Sequence, residues 1–378
     1  MNLRIPGPIP VHPRVMAAMN QPMINHRGPR FSALFGEVAD GLRWAFETSQ
    51  EVLVLTSSGT GGLEAAVANI VSPGDRVLSL SIGNFGERLR TLARLYGAQV
   101  TALDALAGQP IDVSQVRQAL QENPPFHALL VTHNETSTGV TNPMREIALV
   151  LNELGEARPL TIVDGVSGVG CLPLPMDELS LDVVVSGSQK AWGLPPGLAF
   201  VAVSERAWPV IEQCRSPRFY FDLRQARKSA ASRQTPWTPA VGLIFGLHEA
   251  LIMMREEGLP VIHARQRRVG EFTRQGARGL GLQLFANPAF ASNAVTAIRV
   301  PPGVEAAKLR ARLRDEFGQE VAGGQGALKN DIFRIGHMGQ VTEADIQPVF
   351  DALRPPKTRR PFSLIHQTCS CDQPPPRE

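Results

Sequence analysis

The stretch LDVVVSGSQKAWGLPPGLAFVAV, residues 181–203, places two apolar β-forming runs around a turn that carries one lysine, Lys190. Short apolar runs bounded by glycine, serine and proline are typical of strands buried on both faces. Similar runs lie upstream, separated by helical patterns. They occupy residues 51–57, 76–82, 98–104, 127–133 and 160–165. Strands that alternate with helices predict an α/β fold with a mostly parallel sheet in a large, doubly wound domain.

The chain beyond residue 239 follows a different pattern. A long helical stretch from Pro239 to Gly281 leads to apolar runs at residues 282–286, 293–300 and 332–336, which alternate with helical patterns. We expect a smaller C-terminal α+β domain here. The predicted organisation is an N-terminal arm at 1–20, a large domain at 21–257, a small domain at 258–355 and a Pro-rich, disordered tail at 356–378.

Composition favours small-molecule chemistry. The 378 residues are 43% hydrophobic and 19% charged, and the 38 Lys and Arg against 35 Asp and Glu form no long single-sign block, so no nucleic-acid surface is indicated. No apolar run approaches the roughly 20 residues that span a bilayer, and the opening MNLRIPGPIP lacks a signal-peptide core. We therefore expect a cytoplasmic protein without a membrane partner. The cysteines suit a reducing compartment, and the pair Cys369 and Cys371 lacks the nearby ligands of a metal site.

Ligands of open α/β sheets bind beyond the carboxyl ends of the strands, so the residues that end each strand are candidates for a site. After the first run, TSSGTGGLEAA at residues 56–66 forms a glycine-rich turn that opens a helix, whose free N–H groups suit a phosphate. No Gly-Lys-Ser/Thr follows, and the glycines do not match the G-x-G-x-x-G dinucleotide pattern. Taken alone, a plain tight turn is an equal alternative.

Three further strand ends carry polar groups. Asp164 ends the fifth run, Lys190 follows the sixth, and THNETSTG at 132–139 offers hydroxyl and amide groups. Each has an ordinary alternative, because turn aspartates and surface lysines are common. Together, however, they match what pyridoxal 5'-phosphate requires: a lysine amine that bonds its aldehyde, a carboxylate for its ring nitrogen and a cradle for its phosphate. The sequence therefore predicts this cofactor.

These strand ends belong to longer motifs, spread over nearly all of the chain up to about Leu353. The motifs are PGPIPVHPRV, SSGTGGLEAA, NFGER, THNETSTGV, VDGVSGVG, SGSQKAWGLPPG, TPWTPAV and FRIGHMG. They resemble the class V, fold type I, pyridoxal-phosphate aminotransferases, in the alanine-glyoxylate, serine-glyoxylate and serine-pyruvate branch. The resemblance implies the fold type I architecture, pyridoxal 5'-phosphate as cofactor, and a homodimer with active sites shared across its interface.

The resemblance also implies roles for single residues. Lys190 and Asp164 are the expected catalytic residues, the lysine bonding the cofactor and moving the substrate's α-proton, the aspartate facing the ring nitrogen. The other residues expected to hold the phosphate or the ring within the chain are Ser58, Gly59, Thr60, Phe85, Thr136 and Gln189. Phe85 stands where the family often has tryptophan, so the stacking role is kept and an N–H donor is lost.

Two expected roles concern the substrate and the partner chain. Arg334 matches the arginine that grips the substrate's α-carboxylate with two hydrogen bonds, for which a structural ion pair is the alternative. Thr235 and Thr238 match a loop that reaches the partner's cofactor phosphate. The local sequence also fits a helix start, with Thr238 as N-cap and Pro239 as the first helical residue.

The expected reaction is transamination between a small amino acid, alanine or serine, and a small 2-oxo acid, glyoxylate or pyruvate. A cysteine desulfurase-like lyase and a 2-aminoethylphosphonate-type aminotransferase are alternatives within the fold; a desulfurase needs a cysteine shortly before Arg334, and residues 308–334 contain none. Some similar proteins carry a soluble hydrogenase label, but no cysteine arrangement here suits an iron–sulfur or nickel–iron centre. A nucleotide-binding oxidoreductase and a non-catalytic scaffold remain open outside this chemistry.

Overall fold

The computed structural model describes residues 1–122 and 125–354. Its strands are β1 (Asn2–Arg4), β2 (Glu51–Ser57), β3 (Arg76–Ser81), β4 (Gln99–Asp104), β5 (Ala128–Thr132), β6 (Asn134–Glu135), β7 (Val140–Thr141), β8 (Leu160–Asp164), β9 (Val183–Gly187), β10 (Gly197–Val203), β11 (Val295–Arg299), β12 (Gln319–Gly323) and β13 (Ile332–Gly336). Its α-helices are α1 (Pro13–Met19), α2 (Pro29–Ala45), α3 (Gly59–Ile70), α4 (Asn84–Leu95), α5 (Val113–Glu122), α6 (Met144–Asn152), α7 (Trp208–Gln213), α8 (Leu223–Ala230), α9 (Val241–Glu257), α10 (Leu259–Gly279), α11 (Ala306–Phe317) and α12 (Glu343–Leu353). The predicted tail, with Cys369 and Cys371, lies outside the described residues.

The larger sheet is built from the seven apolar runs at residues 51–203. Its strand order is β2-β10-β9-β8-β5-β3-β4. β10 runs antiparallel to both of its neighbours, and the other neighbouring strands pair in parallel. Every residue of β5, β8 and β9 is buried, as expected for parallel strands covered on both faces. The predicted α/β fold with a mostly parallel sheet is confirmed.

Helix α3 packs directly against the central strands because it carries glycine where it meets them. A Cβ added to Gly62 would lie 2.8 Å from the side chain of Val185 in β9 and 2.9 Å from that of Ala199 in β10. The N-terminal end of α3 is therefore held close to the end of β9, where the turn with Lys190 begins. This close approach positions the site described below.

The smaller sheet has the order β1-β12-β13-β11, and its first strand comes from the N-terminus. β1 pairs in parallel with β12, with Asn2 opposite Gln319. The sequence predicted neither of these two strands. It also predicted a strand at 282–286, which is wrong: the chain enters this segment through Gly281 at φ +74° and turns again at Pro288. Only the single bridge between Leu284 and Ile298 forms in between.

The helical stretch predicted from Pro239 to Gly281 is two helices. Gly258 adopts φ +83° and donates its N–H to the carbonyl of Met254, which ends α9, and Pro260 in the first turn of α10 suits a new helix. The proposed domain boundaries at 20, 257 and 355 stay a prediction. No helix among the described residues is long and apolar enough to cross a membrane.

Candidate active site

The carboxyl ends of three neighbouring strands bring the predicted polar groups together. Thr132 at the end of β5 pairs with Asp164 at the end of β8, and Asp164 pairs with Val185 of β9. The turn after β9 then carries Gln189 and Lys190. We call Asp164, Gln189 and Lys190 the lysine corner. Topology alone places these residues side by side, although 26 positions in the chain separate the aspartate from the lysine.

Asp164 is a buried carboxylate that accepts few hydrogen bonds to offset the cost of its burial. Its Oδ1 accepts a hydrogen bond of 3.0 Å from the N–H of Val166. Burial raises its pKa to about 6, against the opposing effects of this N–H and of the positive charges on Lys190 and Arg88. A carboxylate in such a place is favoured as an anion when a cationic N–H faces it. It is suited to bind a protonated ring nitrogen.

Lys190 sits on the same corner in a desolvated environment. Its Nζ donates a hydrogen bond of 2.5 Å to the carbonyl of Pro6. Burial lowers the pKa of Lys190 to about 8, and the positive charges of Arg334 and Arg88 act in the same direction against the attraction of Asp164. At pH 7 about one amine in ten is then uncharged, far more than for an ordinary lysine. Lys190 is therefore prepared to act as a nucleophile or a base.

The start of helix α3 carries the residues that the sequence predicts to hold a phosphate. Ser58 is the N-cap, and its Oγ accepts a 3.4 Å hydrogen bond from the N–H of Gly61. A Cβ on Gly187 would lie 3.1 Å from the Cα of Gly59 and 3.2 Å from Gln189 Oε1, so the α3 start and the lysine corner touch. The buried Oε1 of Gln189 has no hydrogen-bond partner among the described residues.

Thr60, the remaining predicted cradle residue, leads to an arginine that the sequence analysis did not select. Arg88 donates a hydrogen bond of 3.1 Å from Nη1 to Thr60 Oγ1. Its guanidinium carbon lies 4.8 Å from the centre of the Phe85 ring, and its charge acts on both Asp164 and Lys190. The structure thus places Phe85, Arg88 and Thr60 beside one another. Arg88 lies in the quoted motif NFGER, so its spacing of three from Phe85 was a usable signal.

Glu135 is a second site residue that sequence analysis missed. Its Oε2 accepts hydrogen bonds of 3.0 and 3.2 Å from the N–H groups of Phe85 and Gly86, at the start of α4. Its Oε1 accepts from the N–H of Ser137 at 3.0 Å. Burial raises its pKa, and these hydrogen bonds oppose that shift. Glu135 therefore fixes the helix that presents Phe85.

Arg334 in β13 reaches the same site from the smaller sheet. Its Nε donates to the carbonyl of Gly323 at 2.8 Å, and its Nη1 donates to the carbonyl of Thr136 at 2.7 Å. Burial lowers its pKa to about 10, and the charge of Glu135 opposes this shift. Within residues 1–122 and 125–354 no salt bridge involves Arg334, so the structural alternative, an internal ion pair, has no support. Its charge is available for an anionic ligand.

Among residues 1–122 and 125–354, in contrast, no hydrogen bond joins Thr235 or Thr238 to the lysine corner of the same chain. Thr235 Oγ1 donates to the carbonyl of Trp237 at 2.7 Å, and the Thr238 side chain is exposed. The helix-start alternative is wrong, because α9 begins at Val241 with Ala240 before it. The N–H of Ala240 is instead 3.3 Å from Thr56 Oγ1, which holds this part of the chain outside the helix.

Comparison with known proteins adds independent information. A family model described as "Aminotransferase class-V" matches residues 14–347. A protein of Anabaena cylindrica named "Soluble hydrogenase 42 kDa subunit" is 44% identical over 346 residues, which are 91% of this chain and 90% of that protein. The L-aspartate–glyoxylate aminotransferase of Paracoccus denitrificans is 36% identical over 90% of this chain and 87% of its own. The crystal structure of an alanine–glyoxylate aminotransferase from Nostoc sp. superposes with a TM-score of 0.88 at 31% identity, covering 93% of this chain and 95% of that one.

Proposed function

The chain belongs to the class-V aminotransferase family, and from that premise we propose that it transfers the amino group of alanine or serine to glyoxylate or pyruvate. The chain is an aminotransferase that depends on pyridoxal 5'-phosphate, as its family is, and its α/β architecture is fold type I. The observation that carries the proposed mechanism is the lysine corner. There a lysine with a lowered pKa lies beside a buried carboxylate with a raised pKa.

The residues present fit this cofactor. When bound, pyridoxal 5'-phosphate withdraws electrons from the α-carbon of an amino acid and carries the amino group between two half-reactions. The buried Asp164 would face the ring nitrogen and keep it protonated. The start of α3, from Ser58 to Thr60, and the side-chain amide N–H of Gln189 would lie at the phosphate, with Phe85 against the ring. Thr136 would lie near the ring's phenolic oxygen.

Arg334 would hold the α-carboxylate of both the amino acid and the oxo acid. Two of its nitrogens are fixed by the carbonyls of Gly323 and Thr136, so the guanidinium plane is set before a substrate arrives. A preset cation orients the α-C–H bond at little entropic cost. Lys190 would then take the α-proton on its uncharged Nζ and deliver it to the carbon that was the aldehyde carbon of the cofactor.

A donor with a second carboxylate is the other candidate, and Arg88 favours it. Its guanidinium is exposed, stacks on Phe85 and forms no salt bridge among the described parts of the chain. The Paracoccus relative is named for L-aspartate. If the donor is aspartate, Arg88→Gln should raise KM for that donor and leave KM for alanine unchanged.

The proposed assembly is a homodimer in which residues 234–241, here called the partner loop, complete the site of the other chain. An exposed aromatic cluster adjoins this loop: the rings of Phe219 and Trp237 stack with centres 4.8 Å apart, and those of Tyr220 and Trp237 with centres 6.1 Å apart. Phe219 is 75% exposed although its ring stacks on Trp237, and a contiguous exposed apolar patch of this kind is typical of an interaction surface. A second copy of the chain would bury the cluster and carry Thr235 and Thr238 to the partner's phosphate site. The proposed location remains the cytoplasm.

A donor and acceptor matrix tests the proposed reaction. Purified protein reconstituted with pyridoxal 5'-phosphate is assayed with alanine, serine, aspartate and 2-aminoethylphosphonate as donors, against glyoxylate, pyruvate and 2-oxoglutarate. We expect the highest kcat/KM for alanine or serine with glyoxylate or pyruvate, and no turnover by Lys190→Ala. A preference for aspartate would mean that the proposed donor is wrong, while the proposed acceptor would stand. A protein that stays colourless with added cofactor and transfers no amino group would refute the proposal.

A further inference from the structure

The N-terminal motif PGPIP, residues 6–10, has no role in the reaction proposed above, yet it lies against the lysine corner. The carbonyl of Pro6 accepts the hydrogen bond from Lys190 Nζ. A Cβ added to Gly7 would lie 2.7 Å from Lys190 Cδ, 2.7 Å from Nζ and 3.0 Å from Cε. The backbone of Gly7 therefore runs directly along the last three atoms of the lysine side chain.

The residues that follow Gly7 in the motif are held in place by the turn that carries Lys190. The N–H of Ile9 donates to the carbonyl of Gln189 at 3.3 Å, so the motif is bonded to the residue before the lysine. The Ile9 side chain is 7% exposed and packs in a buried cluster with Ala191 and Met338. Residues 6–9 thus pass across the turn that carries Lys190.

The residues that precede the motif are held in place by the smaller sheet. β1 pairs with β12 in parallel, and the Asn2 side chain donates to Gln319 Oε1 at 2.7 Å. The carbonyl of Ile5 lies so close to Gly336 that a Cβ there would approach it to 2.1 Å. Strand pairing on one side and packing on the other leave Gly7 little freedom to move away from Lys190.

We propose that Pro6 and Gly7 are positioning residues for Lys190. The Pro6 carbonyl accepts the amine whenever the amine is not bonded to the cofactor, and the missing side chain of Gly7 leaves the space through which the lysine moves between that carbonyl and the cofactor. Any side chain at position 7 meets Cδ, Cε and Nζ at once, so the lysine must leave its place. This inference rests on the proposed role of Lys190.

The test compares Gly7→Ala with Gly74→Ala. Both glycines have a positive φ, +118° and +90°, but no atom lies within 4 Å of a Cβ at Gly74, so the control carries the backbone strain without the contact. Apoenzyme is mixed with pyridoxal 5'-phosphate, and covalent capture is followed by borohydride reduction and peptide mass spectrometry. Gly7→Ala should slow capture at Lys190 about a hundredfold relative to Gly74→Ala, since small misplacements of a reacting group have effects of this size.

Pyridoxamine 5'-phosphate separates displacement of the lysine from damage to the pocket, because it lacks the aldehyde that the lysine bonds. Its dissociation constant, from equilibrium dialysis, should be the same for both variants. Equal capture rates in the two variants, or an equal loss of pyridoxamine phosphate binding and capture in Gly7→Ala, would overturn the inference. If borohydride labels a lysine other than Lys190 in the wild type, the proposed function fails at that residue instead.

A second pair of variants covers the case in which Gly7→Ala does not fold. In a Lys190→Ala background the long side chain is absent, so Gly7→Ala should fold and melt at the same temperature as Gly74→Ala in that background. The destabilisation by Gly7→Ala in the wild type should exceed that in the Lys190→Ala background. If the two decreases in Tm are equal, Gly7 does not act through Lys190.

Discussion

The lysine corner and the partner loop were both expected to contact the cofactor, but only the lysine corner is assembled within a single chain. Asp164, Gln189 and Lys190 are brought together inside one chain by adjacent parallel strands. Thr235 and Thr238 lie on a loop that is hydrogen-bonded within itself and to Arg27, Thr56 and Tyr220, away from that corner. Strand order alone builds the first region. The second acquires a catalytic role only if another chain is present.

The largest effect is expected at the lysine corner. Lys190→Ala removes the amine that bonds the cofactor and moves the proton, so kcat should fall by at least about 10⁴-fold. Melting temperature and circular dichroism should stay near those of the wild type, because the hydrogen bond that is lost goes to a single carbonyl. Turnover above a tenth of the wild-type value would remove Lys190 from the mechanism.

Asp164→Asn sharpens the comparison within the same corner. The amide has the same size but no charge to hold a proton on the ring nitrogen, so kcat should fall about a thousandfold while some cofactor remains bound. Absorbance gives the bound fraction and stopped-flow kinetics give the rate. Asp182 and Asp104 are poor controls because each forms ion pairs, Asp104 with the buried Arg90 of α4. Asp331→Asn, at an exposed position directly before β13, should leave the rate unchanged. Near-normal turnover in Asp164→Asn would make Asp164 structural.

Arg334→Lys tests the contribution of the smaller sheet to the corner. An ammonium cannot reproduce a planar two-point grip, so KM for the amino acid and for the oxo acid should both rise, by about tenfold to a hundredfold. Arg299→Lys, at the exposed end of the neighbouring strand β11, is the matched control and should leave both constants unchanged. If KM responds equally in the two variants, Arg334 has no special role in carboxylate binding.

Whether a site residue could be predicted from the sequence depends on whether its contacts follow from strand order or from pairings between distant parts of the chain. Ser58, Asp164 and Lys190 were found because they end or follow strands, and the ends of parallel strands meet at one edge. Glu135 and Pro6 were not found, because their partners are Phe85, Gly86 and Lys190, and no local pattern joins such distant positions. The strand β1 was missed for the same reason: its pairing with β12 spans almost the whole chain.

The pH dependence of cofactor capture is a smaller effect, but it still distinguishes Lys190 from an ordinary lysine. Covalent capture of the cofactor requires uncharged Nζ, and the folded pKa of Lys190 is about 8. The capture rate of apoenzyme should therefore rise with pH and level off above about pH 9, with a gain of about tenfold between pH 7 and pH 9. Asp164, with a pKa of about 6, stays ionised over this range. A rate that keeps rising in proportion to hydroxide beyond pH 9.5 would mean that the corner does not lower the pKa of its lysine.

The partner loop is tested by subunit mixing, where the effect is smallest. Thr235→Ala combined with Thr238→Ala should weaken cofactor binding about tenfold through the loss of two hydroxyl donors. At a cofactor concentration far below the wild-type dissociation constant, this variant keeps about a tenth of the wild-type activity and Lys190→Ala has none. A hybrid dimer has one site in which Lys190 and the opposite loop are both intact, so an equal mixture after subunit exchange should recover about a quarter of the wild-type activity.

Two controls make the mixing result decisive. Ser229→Ala and Ser232→Ala, on the surface ahead of the loop, should leave cofactor affinity unchanged, which shows that loss of any nearby hydroxyl is not enough. Dilution that dissociates the wild type should release cofactor and activity together, because each phosphate site then loses the loop of the other chain. If exchange is proven by mass spectrometry and no activity returns, or if a monomer keeps full activity, each chain builds its site alone. The two regions would then differ only in position, and the exposed cluster of Phe219, Tyr220 and Trp237 would need another explanation.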